Sequence, residues 1–447
     1  MTQNTLYLAQ RAMRERRETA LKRGCVAVVD IGTTKITCLV LDIDVAKLRA
    51  PKADGVGRLD GHAAMRVIGA STTRSRGVSL GEITSMDEVE RGLRTVIQAA
   101  QKMADTRVDH VIASFSGGRP RSYGLLGATD VAHGEVSEAD IGRALAACDV
   151  PDYGAGREVL HAMPVNFTLD SRTGLSDPRG LTGAHLTVDT HMMTVSHAPV
   201  HNLLQSIRRC DLELSGLVHS AYAAGLSAMT EEELELGGAC VDLGGGTTGL
   251  SIFLKRHLIY ADSVRLGGDT VTNDICKGLD VPQAVAERIK TLHGGLVPTS
   301  MDDHDQIELP VPDHARHASR SQISRSELIG VMRPRVEEIL EAVRDRLDAA
   351  SFGDMQGRRI VLTGGGSQTP GLEDVAQRVL GRKVRIGRPV YIPGLPQAKT
   401  QAAFSAAVGL ALHIAKPQDE YWDFEMPDDR AGGQRFRRAL RWFKDSW

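Results

Sequence analysis

Two short segments, one near the start of the chain and one just past its middle, carry the same pattern: an apolar run, an aspartate, an apolar residue, a glycine turn with paired threonines, then a second apolar run. The first runs Cys25-Val26-Ala27-Val28-Val29-Asp30-Ile31-Gly32-Thr33-Thr34-Lys35 and leads into Ile36–Leu41. The second runs Ala239-Cys240-Val241-Asp242-Leu243-Gly244-Gly245-Gly246-Thr247-Thr248-Gly249 and leads into Leu250–Leu254. Each reads as strand, tight turn, strand. A repeat so widely spaced implies duplicated half-molecules facing a shared cleft. Glycines let the backbone turn sharply, so successive N–H groups can point inward at phosphate oxygens, and threonine hydroxyls add donors. The aspartates Asp30 and Asp242 can hold Mg²⁺ through water, because that ion keeps several of its waters.

The second turn also fits a GxGxxG pattern, but a dinucleotide-binding turn must open a helix. The residues that follow alternate and are β-branched or aromatic, so they read as a strand. No GxxxxGK[ST] loop occurs in the chain. Phosphate-binding hairpins remain. An ordinary glycine-rich hairpin explains one such turn better than it explains two matched ones. A third glycine cluster, Gly364-Gly365-Gly366-Ser367, lies between an expected strand (359–363) and an expected helix (371–380). Backbone without side chains there would let a flat ring approach closely. Glu287 and Lys290 sit on an expected helix whose charges could equally be a solvated face.

The chain's 447 residues allow two to four domains. Lys+Arg 54 against Asp+Glu 56 leaves a net charge of -2, which argues against a general nucleic-acid binder held by phosphate contacts. Six cysteines form no CxxC pair and mostly lie in apolar runs, as expected of reduced thiols in a cytoplasmic protein. Asp302-Asp303-His304-Asp305 has no second ligand set at a defined spacing, so it is a poor metal site. A helix opens at Ser85 with Glu88 completing a capping box. Residues 109–185 read as a small α+β module inserted in a larger domain. The arginine-rich residues 1–23 read as a helix-prone, solvated extension; no apolar run follows, so they are no secretory signal.

Within this frame the chain resembles the actin, heat-shock-chaperone and sugar-kinase superfamily. Three further segments narrow the resemblance. They are Val159-Leu160-His161-Ala162-Met163-Pro164, Gly174-Leu175 through Pro178-Arg179-Gly180-Leu181-Thr182-Gly183, and Ile360-Val361-Leu362-Thr363-Gly364-Gly365-Gly366 followed by Gly371-Leu372. With these the chain looks like the FtsA family of bacterial cell-division proteins. The resemblance implies an α/β, actin-like (ribonuclease-H-like, duplicated) two-domain fold. Subdomain IA would take 24–108 and 186–235, the inserted IC 109–185, IIA 236–267 and 331–415, and IIB 268–330. An acidic linker (416–432) and an amphipathic helix (433–447) would follow. It implies ATP with Mg²⁺ and at most slow hydrolysis. Gly32, Thr33, Thr34 and Lys35 would form the first phosphate hairpin, and Gly244, Gly245, Gly246, Thr247 and Thr248 the second. Gly364, Gly365, Gly366 and Ser367 would form the adenosine loop, Glu287 and Lys290 would contact ribose or adenine, and Asp30 and Asp242 would lie at the Mg²⁺-water positions. It further implies filaments, contact with later division proteins, and tethering of the tubulin-like FtsZ by its C-terminal tail. Its place would be the cytoplasmic side of the inner membrane at the division site. In IIB, Arg325 is a candidate contact for the acidic FtsZ tail.

The stretch from Lys416 to Trp447 differs physically from the rest: it holds seven aromatic side chains, among them all three tryptophans. Phe436, Leu440, Phe443 and Trp447 are spaced 4, 3, 4, one apolar helical face. Arg437, Arg438, Arg441 and Lys444 supply basic charge, and Trp442 a further ring. At about 22 Å this segment is too short to span a bilayer, but it can lie in an anionic interface. Each cation adds roughly 1 kcal/mol near such a surface, so one copy binds weakly and a polymer tightly. The acidic linker before it reads as disordered, with Tyr421, Trp422 and Phe424 hinting at docking.

A small-molecule kinase of the same superfamily is the competing reading. It needs an aspartate poised over a substrate hydroxyl, and no sugar-kinase signature is present. A chaperone ATPase would need a substrate domain after the second half, and the chain offers only a linker and a short helix.

Overall fold

The computed structural model describes residues 3–49, 64–309, 322–352, 359–415 and 418–424. Two five-stranded sheets form its frame. In the first, the order is Glu213–His219, His110–Phe115, Cys25–Ile31, Lys35–Ile43, Met65–Arg74. In the second it is Val384–Ile386, Ile360–Thr363, Gly238–Leu243, Thr248–Leu254, His257–Val264. Both sheets have the same connectivity. An antiparallel hairpin lies beside a third antiparallel strand, and its first strand runs parallel to the next neighbour on its other side. The repeat visible in two turns is therefore a repeat of the whole sheet.

Central strands covered on both faces need a near-continuous apolar run. Cys25–Ile31 has one, and its Val28 and Val29 are wholly buried. The helix Met86–Ala104 covers the Lys35–Ile43 and Met65–Arg74 strands with Val89, Leu93, Val96, Ile97 and Ala100. Ser85 is its N-cap residue, but its side chain makes no capping bond, so the expected box with Glu88 does not form. Asp87 and Glu88 still place negative charge in the first turn, where the helix dipole favours it.

The inserted module is present, but its borders move. His110–Phe115 pairs in parallel with Cys25–Ile31 and belongs to the first sheet, so the module starts after Phe115 rather than at 109. His185–Ser196 pairs with Arg121–Asp130 and Arg157–Leu169, so the module ends near 196 rather than 185. Its four antiparallel strands carry the helix Glu138–Ala146, capped reciprocally by Ser137 and Asp140. The second half carries Gly268–Leu279, Gln283–His293 and the 25-residue helix Arg325–Ala349.

Two further segments depart from expectation. The helix Ser405–Ala415 does not stay with the second half. It packs against the helix Ser220–Ala228, and Ala407, Val408, Leu410, Ala411 and Ile414 join the first core. Gly409 makes this possible, since a Cβ there would collide with the Ala223 carbonyl. Nor is the arginine-rich start a solvated extension. The helix Gln3–Lys22 lies against the edge strand Glu213–His219, with Met13, Ala20 and Leu21 in the core. Its arginines pair at their tips while the buried stripe packs; Arg16, for one, reaches Glu213 at 3.3 Å.

Candidate functional site

The two hairpins are built alike. In each, a glycine N–H donates to the carbonyl three positions on: Gly32 to Lys35 at 3.0 Å, and Gly244 to Thr247 at 3.0 Å. A Cβ would crowd that same carbonyl, at 3.1 Å from Lys35 and 2.8 Å from Thr247. One local geometry thus excludes a side chain at Gly244 and leaves only tight room for one at Gly32. The hairpins also meet tip to tip. Gly245 abuts the Thr34 hydroxyl, and a Cβ on Gly246 would lie 2.5 Å from that of Thr33.

Behind this contact lies a cavity of about 500 Å³, open to solvent on one side and lined by both halves. Gly32, Thr33, Thr34, Lys35, Gly244, Gly245, Gly246, Thr247, Glu287, Lys290, Gly364, Gly365, Gly366, Asp30 and Asp242 all line it. Thr248 and Ser367 stand behind the wall. The Thr248 hydroxyl donates to the Leu266 carbonyl at 2.9 Å, and that of Ser367 to the Gly364 carbonyl at 2.8 Å. Glu287 and Lys290 are not a solvated face. The Lys290 ammonium donates to Glu287 Oε2 (2.6 Å), the Thr272 hydroxyl (2.7 Å) and the Gly268 carbonyl (3.1 Å). Burial pushes the Glu287 pKa up, but the bonds from Lys290 and Thr272 outweigh it and hold the carboxylate ionised. Gly364 has φ +82°, and a Cβ there would run into the Asp242 carboxylate.

The floor is electrostatically unusual. Burial pushes the pKa of Asp242 up to about 7, the nearby charge of Asp30 adds to this, and Lys35 opposes it. Burial also raises Asp30, against the Ser114 hydroxyl, which donates to it at 2.7 Å, and against Lys35. The Lys35 ammonium is itself lowered by burial, with both aspartates opposing. It donates to the Ala403 carbonyl and lies 4.6 Å over the Phe404 ring. Two hard carboxylate oxygen donors whose pKa values burial raises would be relieved by a cation. Mg²⁺ held through its waters fits that donor set. Among the described residues there is no cluster of three His, Cys, Asp or Glu able to cage an ion, so a phosphate would have to supply further ligands.

Several groups that line the cavity or hold its lining side chains escape a reading from sequence. Ser114 reaches Asp30 from a neighbouring strand, and Ala403 and Phe404 reach Lys35 from the far end of the chain. Met332, Val336 and Ile339 give the cavity an apolar wall. Their 4, 3 spacing is legible in the sequence, but it is also the signature of ordinary core. Arg325 lies elsewhere, with its guanidinium 3.5 Å from Asp302 and 3.9 Å from Asp305 and donating to the His293 carbonyl. Those are contacts within its own subdomain. Phe436, Arg437, Arg438, Leu440, Arg441, Trp442, Phe443, Lys444 and Trp447 lie outside the described residues. Among the described residues, no helix is long and apolar enough to cross a membrane. All six cysteines are free.

Comparison with known proteins agrees with this fold. The family model described as cell division protein FtsA matches residues 239–409, and that of the SHS2 domain inserted in FtsA matches 117–194, close to the borders the strands give. The chain is 38% identical to the cell division protein FtsA of Rhizobium meliloti over 94% of its own length and 95% of that protein's. It is 30% identical to that of Escherichia coli K12, covering 89% and 91%. Among solved structures, the PilM-PilN type IV pilus biogenesis complex matches with TM-score 0.58 at 15% identity, covering 88% of this chain and 99% of that one. MreB5 of Spiroplasma citri bound to ADP matches with TM-score 0.53 at 16% identity, covering 87% and 95%. At such identities these structures speak for the actin-like fold alone.

Proposed function

The chain belongs to the FtsA family of actin-like cell-division proteins, and on that premise we propose that it binds ATP with Mg²⁺ between its two halves. In this reading it polymerises, and through residues 433–447 it tethers FtsZ, held by its C-terminal tail, to the cytoplasmic face of the inner membrane. It also helps bring later division proteins to that site. The observation that carries the nucleotide reading is the tip-to-tip approach of Gly246 and Thr33. Two glycine turns converging on one cavity supply inward N–H groups from opposite walls, the arrangement a triphosphate needs. The Gly364–Gly366 backbone and the apolar face of Met332, Val336 and Ile339 suit a purine, and the Glu287–Lys290 pair suits ribose hydroxyls. ATP bound there bridges the halves and favours the closed form, in which protomers stack. The ion would be held at Asp30 and Asp242, where it would neutralise phosphate charge. Lys35 would turn from Ala403 to a phosphate oxygen. Both floor carboxylates are then committed to the ion rather than free to take a proton from an attacking water, so turnover is slow.

The tether reading rests on the aromatic face and basic flanks of 433–447, not on the cleft. Co-sedimentation with anionic vesicles tests it. The full chain is expected to pellet, more strongly with ATP and Mg²⁺, and to carry FtsZ with it. A chain lacking residues 433–447 should stay in the supernatant. Equal pelleting of both would refute the tether while leaving the nucleotide site untouched.

A further inference from the structure

Only residues 416 and 417 separate the helix Ser405–Ala415 from a second described segment, 418–424, whose sequence is Gln-Asp-Glu-Tyr-Trp-Asp-Phe. Its acidic composition predicts a disordered linker. Instead, the segment is held from three sides. The Gln418 amide donates to the Arg256 carbonyl on a turn of the second half. Glu420 is buried: its Oε2 accepts from the Ala162 N–H at 3.2 Å and its Oε1 lies 3.2 Å from His161 Nδ1. His161 Nε2 accepts from the His219 N–H at 3.1 Å, so the ring proton is on Nδ1 and the imidazole donates to Glu420. Asp423 meets Arg14 of the N-terminal helix twice, 3.1 Å to the guanidinium from its carboxylate and 3.1 Å from its carbonyl. Trp422 and Phe424 join the apolar core of the inserted module, and Arg179 caps the Phe424 ring at 5.5 Å.

We propose that residues 418–424 form a strap docked in cis in a groove between the N-terminal helix, the inserted module and the Arg256 turn, fixing where the C-terminal segment leaves the body. The occupant is this chain's own segment: it follows Ala415 by two residues, and its contacts with Arg256, His161, Ala162 and Arg14 are all made within one chain. Docking shortens the leash. The last anchored residue before Phe436 is Phe424 when the strap is docked and Ala415 when it is released, 12 and 21 residues away in sequence. At about 3.4 Å per extended residue, the reach is about 40 Å in the first case and about 70 Å in the second. The arginine-rich start, which the nucleotide and tether readings leave without a task, becomes one jaw of the groove. His219 also lines the cavity, so the strap reaches the cleft wall through two hydrogen bonds, Glu420 to His161 and His161 to the His219 N–H. The consequence for a membrane rests on the tether reading; the docking does not.

Hydrogen exchange on the full chain tests the docking. The Asp423 N–H donates to the Glu420 carbonyl, and that of Glu420 to the Asp423 carboxylate. Both should exchange slowly in the natural chain. Glu420→Gln puts an amide N–H against one of two donors and should speed them about tenfold or more. Arg14→Ala, at a half-exposed position, should speed them in the same direction and serves if Glu420→Gln perturbs folding. Dyes ligated to the two chain ends should show lower energy transfer in either variant. Exchange at free-peptide rates in the natural chain, or no change in both variants, would overturn the strap. Protection that rises with protein concentration would assign the groove to a second copy and overturn docking in cis. Both variants should still pellet with anionic vesicles. If the natural chain fails to pellet while its strap stays protected, the tether reading falls and the strap stands.

Discussion

A Cβ added to Gly246 would lie 2.5 Å from the Thr33 hydroxyl oxygen and 2.8 Å from the Leu80 backbone nitrogen. The hydroxyl is a side chain that could turn away; the backbone is not. Gly246→Ala should therefore push the halves apart at the mouth of the cleft and weaken ATP binding by about tenfold or more, read by calorimetric titration. Gly330, in the second turn of the helix Arg325–Ala349, has nothing within 4 Å of its added Cβ. Gly330→Ala is the control: unchanged affinity and a gain of about 0.5–1 kcal/mol in stability.

Lys35 faces two buried carboxylates, and in this structure it rests on Ala403 and Phe404. Lys35→Ala removes a charge-assisted donor worth about 1.5–3 kcal/mol to a phosphate. ATP affinity should drop about tenfold to a hundredfold in the same titration. Lys35→Arg should not restore it, because a planar fork does not fit a site shaped for an ammonium.

Burial, with a smaller push from His161, holds His191 and His219 down to about 3; burial holds His413 well below its ordinary value. In the unfolded chain these rings take up protons near pH ~6.5. At these rings the unfolded state therefore binds more protons than the folded one below that pH, so their contribution to stability falls as pH falls, while Asp242 and Asp423, held up to about 7 and about 6, pull the other way. Comparison with a His191→Gln variant isolates the histidine part: the natural chain should lose melting temperature relative to the variant between about pH 6.5 and 5. A difference between the two melting temperatures that stays level over that window would contradict the neutral buried histidine.

The helix Ser405–Ala415 rides directly on Ser220–Ala228, with Gly409 under the Ala223 carbonyl. A methyl at 409 must move backbone, which in a packed core costs about 1–3 kcal/mol. Gly409→Ala should lower the denaturation midpoint accordingly, whereas a cost near zero would mean the two helices do not pack so closely.

What can be read in the sequence is what short-range geometry dictates. Gly32 and Gly244 announce tight turns because their own strands impose them, and the matched pattern of the two turns announces a duplicated fold. The apolar runs of 25–41 and 239–254 place the central strands. Other features depend on residues far apart in the chain. Ser114 and Ala403 belong to the cleft only because distant segments fold onto it. Met332, Val336 and Ile339 have the periodicity of any core helix. The arginines between Met1 and Arg23 read as solvated because carboxylate partners such as Glu213 and Asp423 lie in distant parts of the sequence. The acidic linker reads as disordered for the same reason: its charges find His161, Arg14 and Arg179 only in the folded chain. Where the inserted module begins depends on which sheet His110–Phe115 pairs with, and a strand's apolar pattern does not name its partner.

The central claim is one triphosphate held from both walls. A crystal structure of the full chain grown with Mg²⁺ and a non-hydrolysable ATP analogue tests it most directly. The account predicts phosphate density between Gly32–Lys35 and Gly244–Thr247, with the purine against Gly364–Gly366. A nucleotide held by one hairpin alone, or bound outside this cavity, would contradict it.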